Sequence, residues 1–193
     1  MKKQEEKILI VYKSKYGATK KYTELLQDEI ACDVFDISKF DTISLEHYES
    51  VVFFGGIYAS GIAGLNVLRK NYDNLKSKKV AIFAVGASPF DKKAFEEIKS
   101  HNLKNDLKSI PLFYGRGAWS EEKMTFKDRM LCKMLQKVIS KKDPTTYEPW
   151  EKALMSAVGK ECDWTDKKYL SSLIKFISSD TSNIAISEEN QQW

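Results

Sequence analysis

The residues with the greatest chemical potential fall in three short segments rich in glycine and hydroxyl groups. The first is Ser14-Lys15-Tyr16-Gly17-Ala18-Thr19. Gly17 permits a tight turn and a close backbone approach. With a helix starting behind it, the N–H groups of Gly17, Ala18 and Thr19 can point at an anion, and the hydroxyls of Ser14 and Thr19 can donate to phosphate oxygens. An ordinary turn whose Ser and Thr cap that helix fits the same residues. The second segment is Gly55-Gly56-Ile57-Tyr58-Ala59-Ser60-Gly61. Its glycines let backbone lie against a flat ligand, and Tyr58 can either stack on a ring system or pack on the surface. The third is Gly86-Ala87-Ser88-Pro89-Phe90-Asp91. It offers backbone N–H groups and a small Ser88 to border the same ligand from the other side.

Other chemistries find little support. The first segment is neither G-x-x-x-x-G-K-[ST] nor G-x-G-x-x-G, so the triphosphatase and nicotinamide-dinucleotide fingerprints are absent. His47 and His101 have no partner cluster, and Cys32, Cys132 and Cys162 have neither disulfide nor zinc spacing. Free thiols, no metal and no histidine-based hydrolase are the expectation. The 193 residues, 42% hydrophobic and 30% charged, suit one globular domain. The chain has no apolar run of membrane-spanning length, and its start, MKKQEEK, leads into too short an apolar stretch for a secretory signal. A cytoplasmic protein is expected. A net charge of +4 is too mild to indicate nucleic acid. Lys and Arg do gather between Lys123 and Lys142, a surface suited to an anionic membrane or an acidic partner.

The elements that must position the three segments are legible as alternating strands and helices. Lys7–Tyr12, Asp33–Ile37, Ser50–Gly56, Lys79–Val85 and Ile110–Tyr114 read as strands, the second weak enough for a sheet edge. Pro111 marks the last as irregular at its start or near an edge. Between them, helices carry Tyr22, Leu25, Leu26 and Ile30, then Leu65, Leu68 and Tyr72, then Ala94, Phe95 and Ile98. Ser88 is the expected N-cap of the third helix, with Pro89 at its first position. A long amphipathic helix is expected from Glu121 to about Lys142, stopped by Pro144. Its stripe of Leu131, Met134, Leu135 and Val138, widened by Phe126, Met130 and Ile139, has two readings. It covers the sheet, or it docks substrate or membrane apart from the ligand pocket. Thr145–Asp163 is unassigned. Thr165 is expected to cap a last helix with Leu170, Leu173, Ile174 and Ile177 inward. Such alternation requires a parallel sheet with helices on both faces, and ligands then bind beyond the carboxyl ends of the strands.

The first segment resembles the phosphate loop of the flavodoxin superfamily. Ser14, Gly17 and Thr19 match position by position, and Tyr16 stands where a small polar residue is common. Gly56–Gly61 and Gly86–Asp91 correspond to the loops that enclose the isoalloxazine ring. Leu112–Ala118 (LFYGRGA), the amphipathic insert Glu121–Ile139 and Asp163–Tyr169 (DWTDKKY) further resemble the branch that includes the menaquinone-dependent protoporphyrinogen IX dehydrogenases.

The resemblance implies a flavodoxin-like three-layer α/β sandwich with a five-stranded parallel sheet in the order 2-1-3-4-5. It implies one domain over residues 1–179, with a helical insert near 119–145 and a flexible tail at 180–193. It implies FMN held by Ser14, Lys15, Tyr16, Gly17, Ala18 and Thr19, by Gly56, Ile57, Tyr58, Ala59, Ser60 and Gly61, and by Gly86, Ala87, Ser88, Pro89, Phe90 and Asp91. The implied activity is oxidation of a porphyrinogen in haem synthesis, with electrons passed to a quinone. Alternatives are an FMN electron carrier serving a redox protein, a quinone reductase, or a regulatory module that has lost tight flavin binding. The ring loops lack the acidic, aromatic-flanked pattern of low-potential carriers, which favours the dehydrogenase.

Overall fold

The computed structural model describes residues 7–179. In chain order it contains β1 (Ile8–Lys13), α1 (Ala18–Gln27), β2 (Asp33–Asp36), β3 (Ser50–Tyr58), β4 (Gly61–Ile62), α2 (Leu65–Leu75) and β5 (Lys79–Gly86). There follow α3 (Lys92–Asn102), β6 (Leu112–Arg116), β7 (Ala118–Ser120), α4 (Phe126–Ile139), α5 (Pro149–Ser156), β8 (Glu161–Asp163) and α6 (Ser171–Ser178).

Val51 and Phe53 face one side of the sheet, Val52 and Phe54 the other, and all four are buried. That is the two-residue period of a strand covered on both faces. The sheet runs β2-β1-β3-β5-β6, all parallel, with Ile8 opposite Ser50 and Ile82 opposite Leu112. Counted along the five parallel strands, the order is the expected 2-1-3-4-5. On one face Tyr22 and Leu26 of α1 and Leu173 and Ile177 of α6 pack on Ile10, Val52, Phe54 and Phe83. On the other, Leu65, Leu68 and Leu75 of α2 and Phe95 of α3 pack on Leu9, Val11, Phe53 and Ile82. Burying a side chain of this size is worth about 1.5–3 kcal/mol. β2 and β6 lie at the two edges, and Pro111 sits just before β6, where its carbonyl accepts the Ile82 N–H at 3.0 Å.

Several boundaries differ from the sequence reading. The strand expected to stop at Gly56 continues through Tyr58, because Ile57 and Tyr58 pair antiparallel with Ile62 and Gly61. It then reverses at Ala59-Ser60 into β4, so the second segment is a hairpin rather than a loop. Asp91, not Ser88, caps α3: its carboxylate accepts the Ala94 N–H at 2.9 Å, and Pro89 stays outside the helix. A carboxylate is the stronger acceptor and suits the positive end of the helix dipole. α4 is shorter than expected at both ends. Thr125 caps it, and the Arg129 guanidinium takes the carbonyls of Glu121, Glu122 and Met124, holding them in a turn. It ends at Ser140, and Pro144 opens a 3-10 turn instead of stopping it.

The unassigned stretch supplies α5, started by a Glu148–Glu151 capping box, and β8, which pairs antiparallel with β7. Thr165 is no cap, since its hydroxyl donates to Asp163 at 2.7 Å. Asp166 accepts the Lys168 N–H instead, and a 3-10 turn leads into α6. The tail expected at 180–193 lies outside the described residues.

Candidate functional site

β1 delivers Ser14–Gly17 to the carboxyl edge of the sheet, and α1 starts at Ala18. Gly17 has φ +96°, and nothing lies within 4 Å of where a Cβ would stand, so the turn opens outward. The Gly17 N–H donates to Ser14 Oγ at 3.1 Å, and no side chain caps α1. The first-turn N–H groups, with the positive end of the helix dipole, are therefore presented at this edge. Thr19 is buried in that turn. Ser14 and Gly17 thus lie in the turn after β1, and Ala18 and Thr19 form the first turn of α1.

Lys15 and Tyr16 are engaged elsewhere. Lys15 Nζ and the Tyr16 hydroxyl both donate to the Asp128 carboxylate of α4, and the Thr125 N–H donates to the Tyr16 oxygen at 3.3 Å. The hydrogen bonds from Lys15 and Tyr16 hold the Asp128 carboxyl below its ordinary range and raise the Lys15 ammonium in turn. Tyr58 belongs to this group: its ring meets Tyr16 edge-on at 6.2 Å, with Lys15 Nζ 5.6 Å from its centroid.

A cavity of about 600 Å³ opens beside the carboxyl ends of β3 and β5. Its wall includes Ile57, Ala59 and Ser60 from the hairpin and all six residues of Gly86–Asp91. Gly56, Tyr58 and Gly61 do not line it, and neither does any residue of Ser14–Thr19. Gly86 is needed for space: a Cβ there would stand 2.9 Å from the Tyr114 oxygen and 3.3 Å from Ile57 Cδ1. Tyr114 donates to the Ser88 carbonyl at 2.5 Å, and burial raises its phenol pKa.

Further lining comes from residues the sequence reading did not assign to a ligand. Trp119, Trp150 and Trp164 line the cavity, together with Cys132 and Leu135 of α4. Arg116 donates through Nε to the Ala87 carbonyl at 3.1 Å and stacks on Trp164. The Trp119 indole N–H is buried and has no partner among the described residues. Burial pushes the Cys132 thiol up and the Cys32 thiol to about 11, so neither is a ready nucleophile. Among the described residues no cluster of three or more metal-ligating side chains exists.

The hairpin tip is strained. Ala59 and Ser60 have φ +46° and +65°, which is the type I′ geometry usually given to Asn and Gly. Asn102, at the end of α3, holds it in place. Its Nδ2 donates to the Ser60 carbonyl at 2.6 Å and to the Ile98 carbonyl at 2.8 Å, and its Oδ1 accepts the Ile62 N–H at 2.9 Å.

The structure bears differently on the two readings of the insert. Its apolar stripe does not cover the sheet, since only Ile139 of α4 is buried. Nor does α4 stand apart from the pocket, because Cys132 and Leu135 form part of the cavity wall and Asp128 clasps the first loop. The signal available in the sequence was the tryptophan content, four in 193 residues, three of them in the segments that build this wall.

A parallel sheet wound 2-1-3-4-5, an open helix N-terminus after its first strand and an aromatic cavity beside its third and fourth parallel strands define a flavodoxin-like architecture. The family profile described as Flavodoxin domain matches residues 9–147, and the chain belongs to that family. No curated protein matches the chain. Among solved structures it is similar to a WrbA-like flavodoxin from Agrobacterium tumefaciens at 18% identity, covering 64% of this chain and 88% of that one, TM-score 0.42. It is also similar to a putative flavoprotein from Bacteroides eggerthii at 18% identity, covering 70% and 99%, TM-score 0.42. An azoreductase from Bacillus anthracis aligns at 11% identity, covering 79% and 98%, TM-score 0.38.

Proposed function

We propose that this chain binds FMN and works as an oxidoreductase or electron carrier whose partner is a small planar molecule of the quinone type. The observation that carries the reading is the pairing of an uncapped, open α1 N-terminus with an aromatic cavity at the same sheet edge. The residues present fit the cofactor. Ser14 and Thr19 would offer hydroxyls, and Ala18 and Thr19 N–H groups, to a terminal phosphate, while Gly17 leaves its approach open. The unpartnered Trp119 N–H suits a ring carbonyl, and Gly86 leaves room where a side chain would collide. FMN supplies the redox chemistry when bound, and the protein contributes orientation and a dry, aromatic enclosure. In that role the Arg116–Trp164 stack fixes the loop Gly86–Asp91, and the hairpin tip Ala59-Ser60 forms the facing rim.

The family match is to the flavodoxin domain at large and does not single out porphyrinogen dehydrogenases. A quinone reductase or FMN carrier, acting in the cytoplasm, is therefore the reading favoured here over porphyrinogen oxidation. Among the described residues no helix is long and apolar enough to cross a membrane. The deciding experiment is an absorption spectrum of purified protein titrated with FMN, FAD and NAD, followed by turnover with a quinone and with a porphyrinogen. Saturable FMN binding with quinone turnover is expected. Equal binding of NAD, or no flavin binding at all, overturns the reading and favours the regulatory module.

A further inference from the structure

Among the described residues, α4 has one face without a partner. Phe126 is 77% exposed, Met134 60%, Val138 58% and Leu131 54%, with Met130 and Leu135 also exposed. On a helix these positions fall within one half of the circumference. The opposite half is fully used: Asp128 clasps Lys15 and Tyr16, Cys132 lines the cavity, Gln136 donates to Glu121 at 2.9 Å, and Ile139 is buried. The orientation of the helix is therefore fixed by its inner contacts, which turn the apolar face outward.

Apart from the clasped Asp128, the charged residues of α4 are all cationic. Lys127, Lys133, Lys137 and Lys141 are all exposed, and among the described residues none of them forms an ion pair. Lys133 and Lys137 border the apolar half, and Lys127 and Lys141 stand at its two ends, where long side chains can extend past the apolar surface. A second copy of this chain placed on the same face would set these cations against one another, because a two-fold interface joins a patch to itself.

We infer that the outer face of α4 is an in-plane docking element for an anionic lipid bilayer. Phe126, Met130, Met134 and Val138 enter the headgroup–acyl boundary, and the flanking lysines meet anionic headgroups. The 14-residue helix would lie along the surface for about 21 Å. Leu135 belongs both to the exposed face and to the cavity wall, so docking sets the cavity wall against the lipid. This goes beyond the redox reading and does not depend on it, since the interaction needs no flavin.

The test is sedimentation of the full chain with vesicles of phosphatidylcholine alone and of phosphatidylcholine mixed with phosphatidylglycerol, at low and high salt. Binding to the anionic vesicles, weakened by salt, is expected, with little binding to the neutral ones. Replacing Lys127, Lys133, Lys137 and Lys141 together by Gln should weaken anionic-vesicle binding about tenfold or more. Met134→Glu should weaken it to a similar degree, with far-UV circular dichroism and melting temperature unchanged because the residue is exposed. Failure of the wild type to bind anionic vesicles overturns the inference, as does unchanged binding in both variants. Concentration-dependent dimerisation abolished by Met134→Glu, without vesicle binding, assigns the face to a second copy and overturns it equally.

Discussion

The Arg116 guanidinium lies 3.9 Å from the centroid of the Trp164 ring, and its Nε donates to the carbonyl of Ala87. One side chain thus joins the end of the edge strand β6, the loop Gly86–Asp91 and the segment after β8. A planar cation on an indole is worth about 0.5–2 kcal/mol, depending on how far it is desolvated. Lysine keeps the charge but loses the flat stacking surface and the Nε donor. Arg116→Lys and Trp164→Leu should each lower stability, and a double-mutant cycle by urea unfolding should show a coupling of about 1 kcal/mol. Strict additivity would mean that the stack contributes nothing.

The phosphate reading of the first loop separates from a merely structural one through the ligand. Thr19→Ala should weaken FMN binding by about 1–3 kcal/mol, the usual loss for a hydrogen bond to a charged group. Riboflavin, which has no phosphate, should be affected much less. Equal weakening of both ligands would remove the phosphate role. Gly17→Ala meets open space, so its cost is the positive φ alone, about 1–2 kcal/mol, and it should appear in the unfolding free energy without any ligand.

Acid should loosen the elements built on the sheet edge in a defined window. Burial alone would raise the Asp163 carboxyl, but the Lys21 ammonium at 2.6 Å and the hydroxyl and N–H of Thr165 outweigh it and bring the group to about 2. Asp128 is lowered as well, first by its bond from Lys15. Both carboxyls are held below the ordinary aspartate range in the folded state. Their stabilisation is therefore complete above that range and is lost as pH falls through the lowered values. Asp163→Asn and Asp128→Asn should flatten the fall in urea midpoint between about pH 5 and pH 2. A fall as steep as in the wild type would show that other carboxylates govern acid unfolding.

The hairpin tip offers a test in both directions. Ser60 holds φ +65°, which glycine tolerates without a Cβ penalty, so Ser60→Gly should raise stability by about 1 kcal/mol. Asn102→Ala removes the bonds to Ser60 and Ile62 from a buried site and should cost about 1–3 kcal/mol. Both are readable as shifts in thermal unfolding. A neutral Asn102→Ala would show that the turn holds itself.

The parallel sheet was legible because its central strands are continuous apolar runs and the covering helices repeat at three and four residues. Val51 to Phe54 announce a strand buried on both faces before any contact is known. The first loop was legible in its backbone and less so in its side chains. Tyr16 stands where a small polar residue is common, and its hydroxyl is bound to Asp128, more than a hundred residues away; no local pattern encodes that pairing. The hairpin at Ala59-Ser60 was hidden because neither residue is a usual choice for left-handed backbone, and the restraint comes from Asn102. The periodicity of α4 located its apolar stripe but not the direction it faces, which depends on the bonds of Asp128, Gln136 and Arg129. Trp119, Trp150 and Trp164 converge only after β7 and β8 pair and α5 folds, and such short elements have too little periodicity to be read in advance.

Three of the four tryptophans border one cavity, and the fourth, Trp193, lies outside the described residues. The ultraviolet emission of the described fold therefore originates almost entirely at the walls of its candidate binding site. A ring system entering that space meets walls built partly from these emitters, and their quenching would report occupancy in real time without a label. Replacing Trp119, Trp150 and Trp164 singly by Phe would turn the same signal into a three-point map of where in the cavity the ring comes to rest.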